Sequence, residues 1–479
     1  MARSFHIRSY GCQMNAHDSE KVANLLHHAG FERAAAEDEA DLVVVNTCSI
    51  REKAEHRLYT DLGILRLWKQ ERAGRLIGVG GCVAQQEGDS LLRRYPQVDF
   101  AFGTHNLRWV PDMVAAAGEG RREARFADDL SLARFDLPER HPAFADEVPG
   151  RAWLTVMEGC DLFCSYCVVP LTRGREISRP AQLILAEARD LAARGVRELT
   201  LLGQTVNAYG RHDARRGRSA AAGTLAFGEL LEALAAIPGI ERLRYTSPHP
   251  MFFDDALIRA HAELPQLCPH VHLPVQSGSD RMLEAMRRRY TAREYLELVT
   301  ALRHVRPDLA ITTDVIVGHP GETRGDFDAT LALVREVGFV DGFSFKYSPR
   351  PGTASASLGE TVSAAESQAR LEELQALQRE LTFSAHRARV GTRTRVLVEG
   401  ASRRGGGEAG VAAQQGRDPY HRVVNFRAAL DSAPAPGTFV ELAIVEATPH
   451  SLIGSLGDAD AFVNRARRAV EEERPRPAA

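Results

Sequence analysis

The sequence predicts an α/β chain in three parts: a parallel-sheet α/β domain, a central partial (β/α)6 barrel and a small OB-like β-barrel. Three observations predict it. Over residues 4–120 short apolar runs alternate with helical stretches, the pattern of βαβ units in a parallel sheet. Over 151–385 strand and helix repeat about six times, and right-handed crossovers roll such a repeat into a full or partial barrel. Over 389–457 the chain changes to short strand-like runs, which suit a small closed barrel.

The first part, residues 1–120, carries candidate strands at 5–10, 41–46, 75–80 and 98–102 and candidate helices at 16–29, 51–73, 84–94 and 106–117. Residues 121–150, charged and proline-containing, read as a linker. The barrel, 151–388, has strands at 153–157, 198–203, 241–246, 270–275, 310–317 and 342–347, with helical patterns such as 180–194 and 323–337 between them. A flexible loop is expected at 211–223. The last part, 389–457, has strands at 393–398, 422–427, 438–446 and 452–456, interrupted by a Gly/Ala/Gln-rich loop at 401–416. The tail, 458–479, ends in Arg-Pro-Arg-Pro-Ala-Ala and is expected to fray.

A chain of 479 residues suits two to four domains of roughly 100–200 residues each. With 44% apolar residues it can build large cores. No uncharged apolar run reaches the ~18 residues of a membrane span. Met1-Ala2-Arg3-Ser4 runs at once into a strand, with no secretory apolar region, so a cytoplasmic protein is expected. The net charge of −3 does not point to nucleic acid. Only four of the 60 basic residues are lysine. Arginine forks phosphate and stacks on bases, although codon bias accounts for most of such an excess. Seven cysteines in a cytosolic chain suggest metal or catalysis before disulfides.

Cys160, Cys164 and Cys167 form a C-x3-C-x2-C loop directly after the first barrel strand. Three thiolates on one loop hold three irons of a four-iron cluster, which usually takes four cysteines. No fourth lies nearby, so one iron stays open to a small ligand. The other reading is a structural zinc loop, but zinc there normally takes four protein ligands. Cys12, Cys48 and Cys82 lie far apart, yet each follows a predicted strand and two directly follow a glycine. Adjacent parallel strands end on one edge, where three thiolates can meet at a crevice. The competing reading is three separate buried cysteines. The glycines let the backbone approach a bulky cofactor.

The central motif resembles that of the radical-SAM superfamily. With Tyr10-Gly11-Cys12-Gln13-Met14-Asn15, Asn46-Thr47-Cys48-Ser49-Ile50-Arg51-Glu52-Lys53-Ala54-Glu55, Gly81-Cys82-Val83-Ala84-Gln85, His272-Leu273-Pro274-Val275-Gln276-Ser277-Gly278-Ser279 and Arg422-Val423-Val424-Asn425-Phe426, residues 4–457 resemble the MiaB branch of the radical-SAM methylthiotransferase family. Gln13-Met14-Asn15 favours that branch over those acting on a ribosomal-protein aspartate or on threonylcarbamoyladenosine tRNA. Three positions depart from the pattern: Leu171 for tyrosine, Thr205 for asparagine and His319 for phenylalanine. None is a cysteine.

The resemblance implies two 4Fe-4S clusters and S-adenosylmethionine (SAM). One cluster sits on Cys160, Cys164 and Cys167, where SAM is cleaved to a 5′-deoxyadenosyl radical. The other sits on Cys12, Cys48 and Cys82 and handles sulfur. Tyr166 is expected near the adenine of SAM. The implied reaction methylthiolates N6-isopentenyladenosine beside the tRNA anticodon, using two SAM, and the last domain corresponds to an RNA-binding TRAM barrel. Implied partners are the tRNA anticodon stem-loop, an electron donor such as flavodoxin or ferredoxin, and iron–sulfur assembly or carrier proteins. A non-catalytic iron–sulfur RNA-binding regulator is the reading from another class. Ligands of such barrels bind at the strand ends, which makes Gly203, Gln204, Ser247, Gln276, Ser277, Asp314 and Gly318 candidate cofactor contacts; some of these residues could instead cap helices or shape turns. Candidate RNA contacts are the run Arg287-Arg288-Arg289, read as helical, and Arg393, Arg395, Arg403, Arg404, Arg417, Arg422 and Arg427 of the last barrel, where Phe426 is placed to stack a base. Cys268 reads as a buried structural residue, and His270 and His272 as plain strand residues.

Overall fold

The computed structural model describes residues 3–49, 52–129, 131–141, 148–211, 225–359, 361–402 and 410–457. The first domain is a six-stranded, all-parallel sheet in the order Phe31–Arg33, Arg3–Ser9, Leu42–Thr47, Leu76–Gly81, Phe100–Phe102, Glu123–Arg125. Its two central strands, Leu42–Thr47 and Leu76–Gly81, are buried along their whole length, because both faces are covered. Val44 and Phe100 pack with Val22, Leu26 and Met113 on one face. Val43, Val45, Ile77 and Val79 pack with Leu58, Leu62 and Leu65 on the other.

Two edge strands of this sheet escape the sequence patterns. Phe31–Arg33 and Glu123–Arg125 have three residues each, and an edge strand paired on one side needs no apolar run. The second corrects the linker expected over 121–150. Its described part is built into the fold: Asn24 Nδ2 donates to the carbonyls of Pro138 and Glu139, each at 3.1 Å, and Arg134 is buried against Glu158. The helix expected over 84–94 is two, Cys82–Glu87 and Ser90–Arg94, divided at Gly88.

The second domain holds six parallel strands. Arg151–Thr155, Glu198–Leu202 and Arg242–Tyr245 form one three-stranded sheet, and His270–His272, Ala310–Val317 and Asp341–Lys346 form another. A parallel bridge between Leu243 and Leu267 joins them, giving the partial barrel. Its outer faces share one core with the surrounding helices, including Leu154, Leu201, Leu243, Ile311 and Phe339. Helix Ala364–Arg387 covers the last strand and leads into the third domain.

That third domain is a closed five-stranded barrel in the order Arg393–Ala401, Val411–Arg417, Val423–Ala429, Leu452–Ser455, Phe439–Ala447. The strand Val411–Arg417 corrects part of the loop expected over 401–416. It pairs with Val423–Ala429 through seven consecutive residues, so backbone pairing compensates for its weak side-chain signal. Of the flexible segments expected at 211–223 and 458–479, residues 212–223 and the tail lie outside the described residues, as do Arg403 and Arg404.

The small barrel docks on the N-terminal ends of the half-barrel strands. Arg242 donates to the carbonyls of Arg417, at 3.1 Å, and Arg395. Arg244 donates to those of Asp418 and Pro419 at 2.8 and 3.0 Å. Both arginines pair with Glu198, at 3.3 and 3.1 Å. Burial opposes the Glu198 charge, but Arg244, Arg242 and Arg151 outweigh it and hold the carboxyl below the usual range. A carboxyl lowered on folding stabilises fully above its unfolded pKa of about 4.3, and the contribution is lost as pH falls through the folded value. Glu198→Gln leaves two buried guanidiniums without their carboxylate and is expected to cost about 3–5 kcal/mol. Denaturant unfolding near neutral pH measures this. An unchanged midpoint would mean that the carbonyls alone compensate the arginines.

Candidate functional site

Parallel register brings three loops of the first sheet to one edge. Ser9 lies beside Asn46, and Thr47 beside Gly81, so Cys12, Cys48 and Cys82 leave adjacent strands side by side. The Cys12 and Cys48 sulfurs are 4.0 Å apart. Gly11 has φ +125°, and a Cβ there would lie 2.1 Å from the Cys48 Cβ. Gly81 has φ +95°, and a Cβ would lie 2.3 Å from the Thr47 carbonyl oxygen. The glycines therefore let the strand ends approach one another, a closer cause than approach to a cofactor. Asn15 donates to the Thr47 carbonyl at 2.9 Å and holds its side-chain oxygen 3.2 Å from the Cys12 sulfur.

A cation from the second domain reaches this triad. Arg173 is 3% exposed and pairs with Asp18 at 2.6 Å. Hydrogen bonding to Cys48, reinforced by the Arg173 charge, pulls the Cys12 and Cys82 thiols below the usual range against burial. Cys48 is pushed up by its two thiol neighbours and by burial. The hydroxyls of Thr47 and Ser49, on either side of Cys48, are buried without a hydrogen-bond partner.

Cys160, Cys164 and Cys167 follow the strands Arg151–Thr155 and Met157–Glu158, at the C-terminal end of the half-barrel. Cys160 and Cys164 are buried and Cys167 is half-buried. The Cys160 sulfur lies 3.1 Å from Thr205 Oγ1, and Arg288 Nη1 donates to the Cys164 sulfur at 3.6 Å. Burial pushes the Cys160 thiol up to about 11 and raises Cys167 as well. Tyr166 packs against this loop with Leu162 and Phe252. Gln204 Oε1 accepts from the Gly159 N–H, while its Nε2 is buried without a partner.

Among the described residues, no three His, Cys, Asp or Glu side chains group to hold a single metal ion. The donor set at both places is thiols alone, with unpartnered polar groups beside it. That chemistry fits iron–sulfur clusters rather than a hard, oxygen-seeking cation.

The remaining candidates fall into two groups. Gly203 lies against Met157 and Val206, Gln204 bonds Gly159 just before Cys160, and the Ser247 carbonyl accepts from Val206 N at 3.3 Å. Gln276 N donates to the Asp314 carbonyl at 2.9 Å. Ser247 and Gln276 hold φ of +57° and +71°, a costly conformation for non-glycine residues that concentrates at functional sites. Asp314 lies 3.4 Å from His272, which sits in the strand His270–His272 as expected. Ser277 and Gly318 stand apart. Ser277 is fully buried, and its hydroxyl serves Thr330 and the Ser279 N–H. Gly318 N donates to Glu322 at 2.8 Å. The site brings in Arg173, Thr205 and Arg288, none of which the sequence reading placed beside a thiol.

Two RNA-contact expectations are corrected. Arg287-Arg288-Arg289 is not helical: it follows helix Asp280–Ala285, and left-handed backbone at Arg287 and Arg289 turns Arg288 inward to 5% exposure. Phe426 is 2% exposed in the small-barrel core, because it alternates in phase with Val424. Arg395, Arg417 and Arg422 pair with Glu241, Glu399 and Asp418. Cys268 is buried, as expected. The departures find partners: Thr205 meets Cys160, His319 Nε2 lies 2.8 Å from Ser355 Oγ, and Ser355 donates to Ser165 on the cysteine loop at 2.8 Å. Leu171 is 52% exposed.

Two family models match the chain: uncharacterized protein family UPF0004 over residues 4–103 and the radical SAM superfamily over 154–334. A tRNA-2-methylthio-N(6)-dimethylallyladenosine synthase of Geobacter metallireducens is 49% identical over 94% of this chain and 98% of its own length. One of Burkholderia cenocepacia is 45% identical over 95% and 97%. Among solved structures, the radical S-adenosylmethionine methyltransferase TsrM of Kitasatospora setae, with cobalamin and a [4Fe-4S] cluster bound, superposes with a TM-score of 0.54 at 15% identity over 74% of each chain, a likeness of fold. No described helix is long and apolar enough to cross a membrane.

Proposed function

Because the chain belongs to the tRNA-2-methylthio-N(6)-dimethylallyladenosine synthase family, we propose that it methylthiolates carbon 2 of N6-isopentenyladenosine at position 37, beside the tRNA anticodon. Two SAM are consumed, and the product is 2-methylthio-N6-isopentenyladenosine. The observation that carries this reading is the pair of thiol triads at the ends of two parallel sheets, with a buried arginine of the second domain facing the first domain's thiols. Cys160, Cys164 and Cys167 would hold the cluster that binds SAM, and Cys12, Cys48 and Cys82 would hold the other. When bound, the first cluster supplies the electron that cleaves SAM, and the second supplies an iron that carries sulfur.

The residues of the chain do the rest. The target C–H is not acidic, so general acid–base groups have little to act on. The burial of Cys160 and Cys164, with the half-buried Tyr166 packed against them, keeps bulk water from the central thiols. Arg288 faces the charge of the central thiolates, and Arg173 that of the N-terminal ones. Gly203, Gln204, Ser247 and Gln276, at the strand ends, would contact SAM. The partners are the tRNA anticodon stem-loop, an electron donor such as flavodoxin or ferredoxin, and iron–sulfur assembly or carrier proteins, all in the cytoplasm.

Nucleoside mass spectrometry of tRNA from a deletion strain tests the reaction. The methylthio-isopentenyl nucleoside should disappear and its isopentenyl precursor accumulate. Loss of a methylthio-threonylcarbamoyl nucleoside, or of a ribosomal-protein modification, would overturn the assignment. The anaerobically reconstituted chain should hold about eight irons, as two four-iron clusters. About four irons, unchanged in Cys12→Ala, would remove the N-terminal cluster.

A further inference from the structure

Among the described residues, the last strand of the half-barrel, Asp341–Lys346, has one sheet neighbour, Ala310–Val317. Their register places Thr312 beside Asp341, Asp314 beside Phe343 and Ile316 beside Phe345, so these six residues share one face. The opposite face is the outer one: Gly342 lies against Gln378 of helix Ala364–Arg387, and Val315 and Val317 enter the core. The face of Asp314 and Phe343 therefore looks into the concave side of the barrel. On it Phe343 is 57% exposed and Phe345 37%. Their ring centroids are 6.4 Å apart, with planes 24° from parallel. His272 lines the same side, its Nε2 3.4 Å from Asp314 and its Nδ1 3.0 Å from Thr312 Oγ1.

Two bare aromatic rings side by side on an edge strand are an aggregation liability unless a ligand covers them. We propose that Phe343 and Phe345 are the platform on which the target adenosine of the RNA stacks. This rests on the RNA-modification reading above. The chemistry matches in three ways. A pair of nearly parallel rings offers a sequence-tolerant surface for a purine face. Ile316, beside Phe345, extends that surface for an apolar substituent on the base. Asp314 and His272 add hydrogen-bonding groups in the next row, where a base edge would lie. The platform stands inside the barrel whose strand ends carry the central thiol triplet, so a base stacked there faces the chemistry.

The test uses an anticodon stem-loop with 2-aminopurine at the target position, titrated with the reconstituted holoenzyme. Stacking quenches this fluorophore. Wild-type enzyme should quench it. Phe343→Ala and Phe345→Ala should lose the quench and weaken binding about ten- to a hundredfold, the range for one lost base–aromatic stack. Phe343→Tyr, which keeps the ring, should retain both. An unaltered quench in both alanine variants and their double overturns the proposal. So does a fall in SAM affinity that matches the fall in RNA affinity, since the rings would then hold the adenine of SAM. If wild-type enzyme binds no stem-loop at all, the RNA reading itself fails, and the platform with it.

Discussion

Replacing Cys12, Cys48 and Cys82 by alanine should leave reductive SAM cleavage intact and reduce methylthio product to background. Replacing Cys160, Cys164 and Cys167 should abolish both. The division follows from position. The central triplet sits on the loop after the first half-barrel strand, among Thr205, Gln204 and Arg288. The N-terminal triad sits on another sheet, and the alanine replacements touch none of these groups. The triads also differ electrostatically. Burial raises Cys160 and Cys167, whereas hydrogen bonding and Arg173 lower Cys12 and Cys82. Anaerobic incubation with SAM, a strong reductant and isopentenylated tRNA, followed by measurement of 5′-deoxyadenosine and modified nucleoside, reads both halves. Wild-type product from the N-terminal triple variant would make that triad structural and place the sulfur source elsewhere.

Arg173→Met should lower product about ten- to a hundredfold, the usual cost of losing a residue that orients and charge-balances cluster ligands, and should lower the iron content toward one cluster. Arg173 is buried, pairs with Asp18 at 2.6 Å and faces the thiols of Cys12 and Cys82. It ties the first domain to the second. Neighbouring contacts run the same way: Thr104 Oγ1 donates to the Thr172 carbonyl at 2.6 Å, and a His105 ring nitrogen lies 2.8 Å from the Arg173 carbonyl. Methionine keeps most of the stem volume but removes the charge, so Asp18 and the thiolates lose their counterion. Arg173→Lys keeps a charge without the fork and should fall between the two. Iron analysis and 5′-deoxyadenosine without RNA separate a cluster defect from general unfolding. Full iron content and full product in Arg173→Met would show that the N-terminal thiols do not need this cation.

What the sequence determined by itself was whatever local spacing or strand alternation fixes. Cys160, Cys164 and Cys167 lie within one loop, so their spacing alone makes them a ligand set. Cys12, Cys48 and Cys82 were legible because parallel strands joined by helices must end on one edge. Phe426 was misread although the signal was present, since its alternation with Val424 already turned it inward. Tertiary structure alone decided the rest. Arg288 read as one of a run of RNA-contacting arginines and Arg173 was not singled out, because nothing local tells an arginine that a thiol 91 or 124 residues away will be its neighbour. Within the expected strand 342–347 nothing marked Phe343 and Phe345, because alternation gives the face of a strand but not whether another layer covers it. The half-barrel stops at Asp341–Lys346, and with no further strand among the described residues to close it, those two rings stand open to the interior.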